Sequence, residues 1–320
     1  MTFTKFIKNA MLLSPKIEVM VRNIYWNNIK IFSRYRHIIE NANNYNSLQI
    51  DFNKIVTVIK NCGISTKDII IVHSSYDTLK ATNLSPEQII DNLYSIVNKG
   101  GTLAMPAIRS FAEEGIAEEY INNYIKKDFS YITTKYDIYR TPIISGLLPF
   151  TLMRYENATI SKFPLNPLVA IGADAKNMIE KNIEGEFPSA HGPNSSWAFC
   201  AKKNAWNIGI GVDIKQYLTI FHIMQEMPEW GVKNWFFKRS FIIKDRKTEE
   251  KITIHERDHK WTKYFAEINF YNDLIRENII KSYNVDGIAI YITRSKDLID
   301  FISKNKNKFY PYFIPTKYKK

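Results

Sequence analysis

Three short stretches of the chain collect the side chains able to do chemistry. In the first, an apolar run from Ile69 to Val72 stops at His73, Ser74 and Ser75. The second, between Glu186 and Trp197, places His191 among the turn formers Gly192, Pro193, Asn194 and Ser195. The third, Lys215 to Glu226, carries Thr219, His222 and Glu226 at three- and four-residue spacings, which put side chains on related faces of a helix. A neutral imidazole, with an unperturbed pKa of about 6.5, accepts a proton near physiological pH. Hydroxyls and backbone N–H groups beside glycines can hold a phosphate or polarise a carbonyl. The combination points to proton transfer on a bound small molecule.

The remaining candidates are weaker. His37, His255 and His259 lie in charged segments and read as solvated surface residues. His73 is either hydrogen-bonded to backbone or a ligand contact, and His222, beside apolar neighbours, reads as a packed residue with one satisfied nitrogen. Glu226 can orient a histidine or meet a substrate amine, although a helical glutamate is commonly a solvated charge. Asp77 after His73-Ser74-Ser75-Tyr76 reads as a local cap. Cys62 and Cys200 stand far apart with no Cys/His cluster, so neither a disulfide framework nor a metal site is expected. Ser74 and Ser75 lack a G-x-S-x-G elbow, and no P-loop or dinucleotide fingerprint occurs.

The elements that must position these groups begin with a helix from Phe52 to Asn61, a turn at Gly63 and the buried strand from Ile69. Ser85-Pro86-Glu87-Gln88 has an N-cap, a proline at the first helical position and a capping-box glutamine, which predicts a helix from Pro86 to Asn98. A second strand, Thr102 to Met105, follows Gly100-Gly101 and is closed by Pro106, completing a βαβ unit. Arg109 to Asp137 lacks a sustained apolar stripe and reads as a lid or insertion. Further along, the pattern predicts an apolar helix ending at Arg154, a strand Leu168 to Ile171 and a helix Ala173 to Glu180. It continues with a strand in Asn204 to Val212 and a single helix Lys215 to Glu226. Strands Ser240 to Ile243 and Ile252 to Ile254, a helix Ile268 to Ser282, a strand Ile288 to Ile292, a helix Asp297 to Ser303 and a frayed tail Lys317 to Lys320 complete it.

At 320 residues with a hydrophobic fraction of 45%, the chain can bury a large core, which excludes global disorder. The formal charge of +12 favours anionic partners, although lysines scattered through an Asn- and Ile-rich sequence also suit a codon bias. Residues 1 to 50 form a basic, aromatic-rich helical extension. It can touch a membrane surface or, as the favoured reading, pack on the domain with its charges wet. No run approaches the roughly 20 apolar residues that span a bilayer, and the first residues are too interrupted for a signal peptide, so a cytoplasmic location is expected.

Five motifs in order resemble the aminoglycoside 3-N-acetyltransferase family of coenzyme A-dependent enzymes. They are His73-Ser74-Ser75, Gly101-Thr102-Leu103-Ala104-Met105-Pro106, Thr141-Pro142 with Gly146-Leu147-Leu148-Pro149, Gly192-Pro193-Asn194-Ser195, and Thr219 with His222. The departures are Phe163, where antibiotic-modifying members carry the histidine of a His-Pro pair; Gln225, where an acidic residue is expected; and Phe150, where a glutamate is frequent. The resemblance therefore implies the branch associated with surface-polysaccharide genes, thought to acylate amino sugars. It implies a three-layer α/β/α sandwich with a mixed sheet over residues 51–320, preceded by the extension at 1–50.

The implied reaction is direct transfer of an acyl group from acetyl-CoA, or another acyl-CoA, to the amine of an amino sugar or sugar nucleotide. His191, His222 and Glu226 are then the catalytic candidates. His191 either stacks beside the coenzyme or replaces the base missing at Phe163. The coenzyme-side candidates are His73, Ser74, Ser75, Thr102, Met105, Gly146 and Ser195, with no metal and no nucleic acid expected. Two other readings stay open, a non-catalytic coenzyme- or partner-binding member and a basic binder of nucleic acid or membrane surfaces.

Overall fold

In a computed structural model, the described residues are 3–28, 50–98, 100–111, 132–186 and 188–320. The central element is a seven-stranded mixed sheet. Its strands are β1 (Ile69–Ser74), β2 (Thr102–Pro106), β4 (Thr159–Ile160), β5 (Leu168–Gly172), β6 (Trp206–Ile210), β9 (Lys281–Val285) and β10 (Ile288–Arg294). They lie in the order β4-β5-β2-β1-β6-β10-β9. Strands β2 and β6 flank β1 in parallel, whereas β5 and β10 run antiparallel to their neighbours.

Alternate side chains of a strand point to opposite faces, and here both faces are buried. Ile69, Ile71, Ala104 and Ala170 face a core built with helices Ser196–Lys202, Glu267–Arg276 and Ser295–Lys304. Ile70, Val72, Leu103 and Met105 face helices Phe52–Asn61, Pro86–Val97 and Leu147–Leu152. This is the expected α/β/α sandwich. The capping box at Ser85 and Gln88 is formed, so the helix between β1 and β2 starts where its sequence directs.

A second sheet adds a feature that local pattern does not show. Strands β7 (Phe236–Asp245) and β8 (Thr248–Arg257) form a long hairpin, and β3 (Thr133–Asp137) pairs with β7 in parallel. Phe111, Tyr136, Ile138, Phe163, Phe241, Ile243 and Ile254 make its core. The two short strands expected at Ser240 and Ile252 are thus ten residues each. Of the segment read as a lid, residues 112–131 lie outside the described residues.

Other expectations are corrected. Lys215 to Glu226 is not one helix: it breaks into turns at Ile214–Gln216 and Thr219–His222, then Ile223–Glu226, because the backbone at Leu218 (φ −103°, ψ 36°) leaves the helical region. The break lets Tyr217 and Leu218 both reach the core. The helix after Glu267 stops at Arg276, and Asn278 turns the chain at φ 55° into β9. The tail is not frayed: Lys319 bridges Val232, and Lys320 N–H donates to Gly231 C=O at 2.9 Å.

Helices Phe3–Leu12 and Pro15–Asn27 of the extension are tied to the domain. Glu18 is fully buried, and its carboxylate accepts the N–H groups of Ile268 and Asn269 at 2.7 and 3.0 Å. These are orphan donors at the first turn of Glu267–Arg276, a helix without a cap of its own. Residues 29–49, with His37, lie outside the described residues.

Candidate active site

Because β1, β2 and β6 run parallel, their C-terminal ends share one edge of the sheet, the usual place for ligands in open α/β sheets. A cleft of about 130 Å³ opens beside that edge, between Ile108 and Arg109 after β2, Pro164 to Asn166 before β5, the His191 loop, Glu226, and the end of β8.

The His191 loop is held rigidly. Ser195 Oγ accepts the N–H of Ala198 and donates to Gly192 C=O, so it caps helix Ser196–Lys202 and closes the turn at once. A Cβ at Gly192 would meet Ser189 Oγ at 2.5 Å, so a larger residue there would have to turn that hydroxyl aside. On the other side, His255 N–H donates to Pro188 C=O, clamping the loop to β8.

His191 is 2% exposed. Glu226 Oε2 accepts its backbone N–H at 2.8 Å, and Glu226 Oε1 lies 2.9 Å from its Nδ1. An ionised carboxylate only accepts, so this contact fixes the proton on Nδ1 and leaves a lone pair on Nε2. Nε2 is buried and without a hydrogen-bond partner among the described residues. Burial alone would raise the Glu226 carboxyl, but its electrostatic attraction to and hydrogen bonds from His191, with Arg257 nearby, outweigh it and hold the group below its ordinary value. The carboxylate therefore stays ionised.

His222 stands with its ring centre 5.3 Å from that of His191. Its Nδ1 is 2.9 Å from Gln225 Oε1, and Arg257 Nη1 approaches Nδ1 at 2.6 Å and Nε2 at 3.2 Å. With Nδ1–H donating to Gln225 Oε1, Nε2 accepts from Arg257 and no lone pair is left over; the closer approach of Arg257 to Nδ1 sets donor against donor and is a contact rather than a hydrogen bond. Burial, then Arg257 and His191, push the ring well below its ordinary pKa, so it stays neutral. Its geometry suits positioning rather than proton removal. Trp197 completes the wall, with its indole N–H donating to Asn166 C=O at 2.9 Å and its ring 5.7 Å from His191 and 6.1 Å from His73.

The coenzyme-side candidates divide. His73 is buried, its ring bonded to Gln216 backbone, and burial pushes it down to about 3, so it is neutral. Its Nε2 and the Ser74 hydroxyl are buried without hydrogen-bond partners among the described residues. Gly146, at φ 112°, lies against Ser74, with Ser74 C=O 3.8 Å from where a Cβ would be. Ser74 and Gly146 meet at the end of β1, whereas the His73 ring, one residue earlier on the strand, points to the opposite face, against Trp197 and Tyr217. Ser75 is nearby, capping Tyr76–Leu79 through Thr78 N–H.

Thr102 is a correction. It pairs with Ile69 at the opposite edge of the sheet, about 13 Å from the end of β2 at roughly 3.3 Å per residue, and its hydroxyl accepts Asp174 N–H. Met105 lies in the core beneath the helices, and Ser195 is committed to its cap. Residues that sequence reasoning missed are Arg109, Asn166, Trp197, Arg257 and Tyr312. Nothing local distinguishes Arg109 or Arg257 among 44 basic residues. Two surface assignments also change, since His255 and His259 line the cleft, the latter with Nε2 3.6 Å from Glu256. Phe163, 4% exposed, is turned into the small sheet's core.

The sequence profile described as aminoglycoside 3-N-acetyltransferase matches residues 71–305. Among solved structures, the apoenzyme of aminoglycoside acetyltransferase AAC(3)-IVa is 18% identical, with a TM-score of 0.61 over 85% of this chain and 95% of that one. AAC-IIIb in its binary complex with CoASH is also 18% identical, with a TM-score of 0.60 over 78% and 94%. AAC(3)-Xa is 16% identical, with a TM-score of 0.62 over 79% and 90%. No curated protein sequence matches the chain. At these identities the solved structures establish a common fold, and the profile, spanning most of the chain and the whole cleft edge, establishes kinship. The chain belongs to the aminoglycoside 3-N-acetyltransferase family and is an acyl-CoA-dependent N-acyltransferase using acetyl-CoA as co-substrate.

Proposed function

We propose that the acceptor is the amine of an amino sugar carried on a nucleotide, acylated directly for surface polysaccharide, with His191 as general base. The observation that carries this reading is the His191–Glu226 pair: a buried imidazole, fixed as the Nδ1–H tautomer, with its Nε2 lone pair unspent. The acceptor enters as an ammonium, and Nε2 takes its proton. The free amine then forms its C–N bond to the thioester carbonyl, and the C–S bond breaks as the tetrahedral oxyanion collapses. The imidazolium gives the proton it holds to the departing thiolate, Nε2 then takes the second proton from the new nitrogen, and that proton leaves to solvent, so the ring returns to its starting state and no acyl-enzyme is needed. Glu226 balances the imidazolium charge during the transfer.

CoASH bound to AAC-IIIb supports placing the thioester arm in this fold. In this chain Ser74 Oγ, orphaned beside Gly146, is the group that fits it, as a donor to the thioester oxygen. The choice of acceptor rests on charge. The antibiotics named with AAC(3)-IVa, a gentamicin and apramycin, are polyamines. Such cations favour unpaired carboxylates. Among the described residues, both carboxylates lining the cleft are already engaged, Glu226 by His191 and Glu256 by Arg239 at 3.1 Å.

Release of free thiol from acetyl-CoA, measured over a panel of amino sugars, their nucleotide-linked forms and aminoglycosides, tests the reading. The expected result is turnover with a nucleotide-linked amino sugar, abolished in His191→Ala with the fold retained. Unchanged turnover in that variant overturns the base assignment, and preference for the antibiotics overturns the acceptor.

A further inference from the structure

Arg109 is 3% exposed, yet no carboxylate among the described residues forms an ion pair with it. Its guanidinium is steadied by the carbonyls of Thr141 (2.8 Å) and Ile138 (2.9 Å) and touches Met153 Sδ, while Nε, also buried, has no hydrogen-bond partner among the described residues. Arg257, on the same cleft, hydrogen-bonds neutral groups, the His222 ring and the Tyr312 hydroxyl at 3.2 Å, and the nearby Glu226 carboxylate is committed to His191. Carbonyl oxygens hold a guanidinium in place without neutralising it. Glu226 offsets one of the two arginine charges and Glu256 is paired with Arg239, so the partly desolvated cleft keeps a surplus positive charge that favours a bound anion. Arginine is suited to phosphate because its planar N–H groups match the oxyanion in pairs.

We infer that Arg109 and Arg257 form an oxyanion subsite that binds a phosphate group of the acceptor, and so select a nucleoside diphosphate sugar over the free sugar. This inference rests on the acyl-transfer reading for its context but concerns binding, which can be measured without turnover. The position follows from the geometry: Arg257 is also the neighbour of His222, so an anion there sits beside the ring that flanks His191. A phosphate anchored at that point places the rest of the acceptor toward the base.

Calorimetric titration of wild type, Arg257→Gln and Arg109→Met with a nucleoside diphosphate amino sugar, the same sugar without nucleotide, inorganic pyrophosphate and CoA tests the inference. The expected result is that each variant weakens the nucleotide sugar and pyrophosphate by about tenfold or more, while the free sugar and CoA bind as before. Equal affinity for pyrophosphate in all three proteins overturns the subsite. Selective loss of CoA affinity shows that the pair serves the coenzyme and overturns the acceptor assignment. If Arg109→Met does not fold, Arg257→Gln and a pyrophosphate-induced rise in the wild-type thermal midpoint decide the matter. Absence of thiol release with every acceptor overturns the acyl-transfer reading, and the binding differences still judge the subsite.

Discussion

Glu226 grips His191 at two points, its backbone N–H at 2.8 Å and its ring Nδ1 at 2.9 Å, across 35 residues of sequence. One carboxylate thereby sets both where the loop lies and which nitrogen of the ring is basic.

Removing that grip has a defined cost. Glu226→Ala is expected to lower kcat by about 10²–10⁴, the usual range for general acid–base assistance. Glu226→Gln retains one acceptor oxygen and should fall between this variant and wild type. Steady-state thiol release checks both, and a Gln variant as impaired as Ala would show that charge, rather than tautomer, is what the ring needs.

A second prediction concerns acid stability. Burial pushes His73 from 6.5 down to about 3. The unfolded chain therefore takes up a proton below about pH 6.5 that the folded chain refuses until near pH 3, so stability is complete above 6.5 and declines toward 3. Near pH 5 the loss is about 2 kcal/mol. His73→Gln cannot charge, and its unfolding free energy in urea should differ less between pH 7 and pH 5 by about that amount. Parallel losses in both proteins would place the titration elsewhere.

The buried pair in the small sheet should behave asymmetrically. Arg239 is fully buried, bonded to Glu256 at 3.1 Å and Thr134 at 3.2 Å, with Phe241 against its guanidinium. Arg239→Met takes the buried cation away from the Glu256 carboxylate and is expected to cost about 3–5 kcal/mol, whereas adding Glu256→Leu restores part of it. A double-mutant cycle on denaturant unfolding checks this, and simple additivity would refute the coupling.

The fourth prediction addresses the extension. Glu18→Ala removes the acceptor for two helix-start amides and is expected to destabilise by about 1–3 kcal/mol. Hydrogen exchange at Ile268 and Asn269 should accelerate more than at helix Pro86–Val97, and uniform change would point to a global effect instead.

What the chain declares locally, it also folds. The run Ile69 to Val72 and the Ser85 capping box became β1 and the crossover helix because burial and capping act over a few residues. The direction of Thr102 was legible too, since a βαβ crossover puts both strand starts on one edge. Other features were not. The parallel pairing of β3 with β7 joins segments about a hundred residues apart, and no periodicity encodes that register. The His191–Glu226 contact required knowing that the segment after β6 breaks at Leu218, a tertiary demand from Tyr217 rather than a property of its own composition. His255 and His259 looked like surface because their neighbours are charged, yet the hairpin turns them onto the cleft.

Phe163 fixes what its position can do. Its ring lies among Phe111, Tyr136 and Phe241, as one of the plugs that seal the small sheet, while Pro164 to Asn166 line the cleft. A histidine here would sink an imidazole into hydrocarbon instead of presenting it to the cleft, costing stability with no return in rate. Turning such a ring toward the cleft would take a rebuilt aromatic core.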